Sequence, residues 1–170
     1  MSLPGPFLAG QRLTAGQLND ATQKMMKSIE VSTAGTINTG IGATEVNITK
    51  LALGPIPQVN GGLYRFDMRL VVQNTVGTDD FVISLRRDTA LTGTLIRAWT
   101  IFAPQNVAVH LWEVWADVPA TVTESVNYFV SAKRTLGTGT LSVYGQFATS
   151  TQSGVSCSRN GYASEYAVIA

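Results

Sequence analysis

The sequence predicts an all-β body, a sandwich or a barrel, preceded by an extended N-terminal arm and one short α-helix. Three observations predict it. From about Glu30 onward apolar residues recur with a period of two, in runs separated by turn chemistry about every dozen residues. A helical period is confined to a short stretch before that point, and the first ten residues are rich in Pro and Gly. At 170 residues the chain suits one such body and is short for two. The organisation read from the texture is therefore 1–30, arm and helix, and 31–170, the β-domain.

The arm, Met1 to Gly10, carries Leu3, Pro4, Pro6 and Phe7 in an extended context. Helix start signals follow. Thr14 is a good N-cap, Gln17 completes a capping box, and Leu13 and Leu18 have the spacing of a hydrophobic staple. Leu18, Thr22, Met25 and Ile29 then recur at 4-3-4 spacing, a narrow apolar seam with Lys24 and Lys27 off it. Such a helix either lies on the sandwich or forms a seam with copies or a host surface. Two to three turns alone do not hold a bundle together.

The strands read as follows. Tyr64, Phe66, Met68, Leu70 and Val72 alternate with Arg65, Asp67, Arg69 and Gln73, a half-buried strand. Phe81, Ile83 and Leu85 repeat the pattern, as do Val107, Val109 and Leu111, then Val126, Tyr128 and Val130. Leu141, Val143 and Phe147 form a further run with Gly145 in an inward slot, and Tyr162 to Ala170 reads as a buried closing strand. Turns fall at 77–80, 92–94, 103–106 and 136–140.

Composition narrows the function classes. Charged residues make up 14%, against a usual share of roughly 25%, while 45% are hydrophobic and the net charge is +1. The deficit points to surface packed against neighbours, with a Thr/Ser-rich monomer as the plainer alternative. No basic stripe is present, so nucleic acid is not an expected partner. No apolar run reaches the roughly 18–20 residues of a membrane helix, and Met1–Phe7 lacks the pattern of a signal peptide. Synthesis in a cytoplasm is expected.

No catalytic constellation stands out, and no enzyme is expected. His110 is the one histidine, between Val109 and Leu111 and so assigned to the opposite face with Trp112. One His and one Cys leave no basis for a zinc site, and no metal or other cofactor is expected. Cys157, flanked by serines, reads as an inert small residue. Asp79 and Asp80 read as solvated turn carboxylates rather than calcium ligands. Gly40 and Gly42 precede a strand-like segment and make no phosphate loop, and Asn47-Ile48-Thr49 is an isolated glycosylation triplet. Of the tryptophans, Trp112 and Trp115 fall on opposite strand faces and cannot form one platform; packing is their expected role. Trp99 and Tyr162 are the candidate ligand or interface aromatics.

The segment Phe7-Leu8-Ala9-Gly10-Gln11-Arg12-Leu13-Thr14-Ala15-Gly16-Gln17-Leu18-Asn19 resembles a leader found on many tailed-phage virion proteins, in which an aromatic and a Gly-Gln/Glu-x-Leu-Thr-Ala-x-x-Leu-Asn pattern precede a varied β-domain. Tyr128 to Arg134, followed by Gly137 to Gly145, looks like the late hairpin of jelly-roll modules on phage particles, similar in outline to trimeric tumour-necrosis-factor and C1q heads. The C-terminus departs from those modules: it reads Glu165 to Ala170 where they end in an acidic strand.

The resemblance implies a jelly-roll-like antiparallel β-sandwich and a homotrimeric structural protein on a virion surface. Its leader would dock on the major capsid protein, as in a capsid decoration protein. The alternative is a minor tail or receptor-binding protein that contacts tail proteins or a host-surface glycan through a lectin-like tip. Leu3, Pro4, Pro6, Phe7, Leu13, Leu18, Met25 and Ile29 are the expected docking and interface residues.

Overall fold

A computed structural model describes residues 24–31, 34–75, 79–103, 110–148 and 151–160. Leu3, Pro4, Pro6, Phe7, Leu13 and Leu18, the expected closing strand 162–170 and Tyr162 lie outside the described residues. The elements are β1 (Lys24–Glu30), β2 (Gly35–Ile41), β3 (Val46–Asn47), a 3-10 turn (Thr49–Leu51), β4 (Leu53–Gln58), β5 (Leu63–Asn74), β6 (Asp79–Arg87), β7 (Thr94–Ala103), β8 (His110–Pro119), β9 (Glu124–Leu136), β10 (Leu141–Ala148), β11 (Thr151–Gln152) and β12 (Gly154–Asn160).

Two antiparallel sheets result. In the first, β5 pairs on one side with β8 and on the other with β12 and then β10, end to end. β12 and β10 pair in turn with β1 and β2. In the second, β7 pairs with β6, β6 with β9, and β9 with β4 and β3. Treating collinear strands as one lane, the sheets read β1/β2, β10/β12, β5, β8 and β3/β4, β9, β6, β7. The chain passes between sheets in the order of a double Greek key, which makes this sandwich a jelly roll.

The core lies between the sheets and is built from the alternation seen in the sequence. Tyr64, Phe66, Met68, Leu70 and Val72 of β5 are buried against Phe81, Ile83 and Leu85 of β6 and Val126, Tyr128 and Val130 of β9. The rings of Phe66 and Tyr128 approach to 4.4 Å between centroids. Buried tyrosines need partners for their hydroxyls. Gln58 Nε2 donates to the Tyr128 hydroxyl at 2.7 Å, and the Tyr64 hydroxyl accepts from the Val59 amide at 2.8 Å.

Several expectations need correction. Residues 24–30, read as the end of the helix, form strand β1 along β12. A register shift between Met25 and Lys27 marks a bulge, which breaks the period of two. Met26 and Ile29, three apart, therefore both pack on the core, whereas the seam read from the sequence joined Met25 to Ile29. Pairing with β12 runs from Lys24 to Glu30, and together with the packing of Met26 and Ile29 it outweighs a marginal two-turn helix. Ile29 is half-buried against the core, and residues 24–30 belong to the sheet. Lys27 Nζ donates to the Gly54 carbonyl of β4, tying β1 to the facing sheet.

In β8 the buried positions are Ala116 and Val118, with Val114 half-buried, so the even positions from 114 to 118 face the core. Backbone register pairs His110 with Val72 and Trp112 with Leu70. Phe147 is 55% exposed instead of inward. The pairing of β10 with β11 shifts between Gln146 and Ala148, so Phe147 leaves the alternation and rests edge-on against Tyr144 at 5.4 Å.

Asp79 is not a solvated turn residue. It is 3% exposed, and its carboxylate accepts from the Gly139 amide at 2.7 Å, the Thr138 amide at 3.2 Å and Asn74 Nδ2 at 3.1 Å. Gly137, at φ +93°, sits where a Cβ would collide with that carboxylate. Asp79 clamps the β9–β10 turn onto the start of β6.

Candidate functional site: a groove on the outer face of the first sheet

The outward positions of the first sheet line up in rows across its lanes. Glu30 pairs with Gly154, Gly154 with Arg69, and Arg69 with Glu113. In the next row Ser28 pairs with Ser156, Ser156 with Asp67, and Asp67 with Trp115. These rows are the polar halves of strands whose other halves build the core, so the alternation that makes the sandwich also makes the site.

Together they line a groove of about 490 Å³. Its floor is low at Gly154, which has no side chain. A Cβ there would lie 2.8 Å from the Ile29 carbonyl oxygen, so glycine also permits the close approach of β1. One wall is Trp115, 56% exposed, with the Arg65 guanidinium 4.7 Å from its ring centroid. Arg65 Nε donates to Asp67 at 3.0 Å, Arg69 Nε to Glu113 at 2.9 Å, and Gln152 Nε2 to Glu30 at 3.3 Å.

Trp115 also borders a second cleft of about 460 Å³ between the edge strands β7 and β8. Trp99, half-buried against the core, lines this cleft with Arg97, Glu113 and Asp117. The sequence named Trp99 and assigned Trp115 to packing. Their meeting on one cleft was not legible, because it depends on which strands become the two free edges. Met25 lies in β1 with its backbone paired to Ser158, outside the groove's rows. Asp80, Asn47 and Cys157 also lie outside the groove lining.

The chemistry available here is recognition. Half-exposed ion pairs add little to stability, but they hold guanidinium and carboxylate groups in place at the groove surface, where an incoming ligand can reach them. Cys157 lies in the core, where burial pushes its thiol up to about 12, so it is protonated and unreactive near neutrality. Among the described residues no group of three or more His, Cys, Asp or Glu is placed to hold a metal ion. No helix among them is long and apolar enough to cross a membrane.

On the outside of the second sheet, Arg86 holds Glu45 through Nε at 2.9 Å and a second nitrogen at 3.0 Å, and the Ser131 hydroxyl also donates to Glu45. The Arg86 hydrogen bonds keep this carboxyl below its usual range, against the opposing effect of burial. The pair is a structural brace joining the loop before β3 to β6 and β9.

No protein-family model matches the sequence, and no curated protein matches it. Solved structures similar in outline include the Gx strain of infectious bursal disease virus, at 11% identity and a TM-score of 0.45 over 81% of this chain and 40% of that one. T=1 particles derived from infectious bursal virus align at 10% identity and 0.45 over 94% of this chain and 40% of theirs. BiXyn10A CBM1, in its apo form, aligns at 11% identity and a TM-score of 0.38 over 79% of this chain and 97% of its own. The chain spans about two fifths of the length of the viral proteins. These are likenesses of a β-sandwich, an architecture shared by capsid and lectin domains alike.

Proposed function

We propose that this chain is a non-catalytic structural protein of a virus particle, held there by its N-terminal leader: a homotrimeric decoration protein on a phage head. The observation that carries the reading is the continuity of leader and body. The segment resembling a phage leader, Phe7 to Asn19, runs on within a few residues into β1, which pairs with β12 from Lys24 to Glu30 and is tied across the sandwich by Lys27. A pull that reaches β1 is therefore borne by a sheet.

Self-association is supported by β7. It is an edge strand, paired with β6 alone among the described residues. Its outward positions, Leu95, Ala98, Thr100 and Phe102, carry no charge, and Leu95 and Phe102 are about half exposed. Three copies on one particle would bind with avidity, since the second and third contacts become intramolecular. Burial of standard patches, about 1,600 Å² each, is enough for tight attachment without chemistry.

The test is a deletion of residues 1–18, compared with the full chain for binding to particles stripped of this protein. The shortened protein is expected to keep its β-type circular dichroism and to lose particle binding. Full occupancy by the shortened protein would show that the sandwich carries the docking surface and would overturn the assignment to the leader.

A further inference from the structure

We infer that the groove on the outer face of the first sheet is a binding site for an uncharged oligosaccharide, with Trp115 as the stacking wall. The inference goes beyond the particle reading and does not require it.

The first argument is Trp115 itself. An indole exposed over half its surface loses apolar burial that a core position would supply. Here it is held rather than loose: Arg65 lies over the ring, and Arg65 is itself fixed by Asp67 at 3.0 Å. A rigid, flat, exposed ring meets the apolar C–H face of a sugar with little ordering cost.

The second argument is the polar pattern. Beside the ring stand side chains that accept or donate paired hydrogen bonds: Asp67, Arg69, Glu113 and, across the trough at Gly154, Glu30 and Gln152. Carboxylate and guanidinium groups with two parallel acceptors or donors suit vicinal hydroxyls. The rows cross four lanes, three steps of about 4.8 Å, which favours a chain of sugars over a single one.

The third argument is charge. Arg65 and Arg69 face Glu30, Asp67 and Glu113, so the lining carries two positive and three negative groups, net −1. A sialylated or phosphorylated glycan gains nothing from that balance, whereas a neutral glycan leaves the internal ion pairs intact. A peptide is disfavoured: the groove has no deep apolar pocket for an anchor side chain, and its floor strands β5 and β12 are paired on both sides, with no free edge to extend.

The full chain, with fluorescent label on its N-terminus, is applied to an array carrying neutral, sialylated and phosphorylated glycans together with peptides. The strongest neutral glycan is then titrated against indole fluorescence. Retention of neutral oligosaccharides is expected, with Trp115→Ala weakening the titrated binding by about tenfold or more and Trp115→Phe retaining most of it. Phe147→Ala, an exposed aromatic outside the groove, is expected to change nothing. Silence of every neutral glycan, retention of anionic glycans or peptides alone, or neutral-glycan binding that survives Trp115→Ala would each overturn the inference. Loss of particle binding on leader deletion is a separate readout, so the two proposals fail independently.

Discussion

Replacing Asp79 with alanine isolates the clamp that joins the β9–β10 turn to β6. The side chain is 3% exposed and accepts three hydrogen bonds, from Gly139, Thr138 and Asn74. Asn74 Nδ2 keeps a second partner, the Ala103 carbonyl at 3.2 Å, so its loss is partial. The buried Gly139 amide has no substitute for the carboxylate that it meets at 2.7 Å. A buried donor left unmatched costs about 1–3 kcal/mol and a hydrogen bond to a charged group about 1.5–3 kcal/mol, which places Asp79→Ala at about 3 kcal/mol in all. With a urea slope of about 2 kcal/mol per M, the unfolding midpoint should fall by roughly 1.5 M. Asp80→Ala, one residue on and half-exposed, should move it by no more than about a quarter of that. Equilibrium urea denaturation followed by tryptophan fluorescence gives both numbers. Equal midpoints for the two variants would refute the clamp.

Other outcomes follow from the same structure. Burial pushes Cys157 from its ordinary 9.0 and Tyr128 from its ordinary 10.0 up to about 12, so both groups hold their protons more tightly folded than unfolded. Their contribution is complete below pH 9 and is lost as pH rises toward 12, so the unfolding midpoint should decline across that window; a flat profile would contradict the burial. The Cys157 thiol should resist a thiol reagent at pH 8 in the native protein and react at once in denaturant. Gly154→Ala should force β1 away from β12, because the added carbon would meet the Ile29 carbonyl at 2.8 Å. Hydrogen exchange at residues 24–30 should rise by an order of magnitude or more while β5 and β6 stay protected; unchanged protection in β1 would mean that the strand pairing is misplaced.

What was legible in the sequence follows the alternation. β5, β6 and β9 each carry a period of two with large apolar residues, and the alternating apolar positions at Tyr64 to Val72, Phe81 to Leu85 and Val126 to Val130 are all buried, with Val71 and Ser84 between them buried as well. Two irregularities were not legible. Around Met26 an inserted residue breaks the period of two in β1, and between Gln146 and Ala148 a register shift turns Phe147 outward. The segment around Cys157 read as a strand or a turn, and its place as β12 was not legible because Val155 and Cys157 alternate with serines that carry little hydrophobic contrast. Asp79 was misread because a turn carboxylate looks the same whether water or backbone amides satisfy it. The groove was hidden for a different reason. Each of its residues looks like an ordinary solvent-facing position, and only register across β1, β12, β5 and β8 gathers them into one surface.

The most direct test of the particle reading is to locate the chain on intact virions by immunogold labelling and to count it against the major capsid protein. Gold distributed over the head, at a stoichiometry in multiples of three per symmetry-related site, is the predicted result. Label confined to the tail tip would contradict decoration of the head, and no label on any purified particle would contradict the structural role altogether.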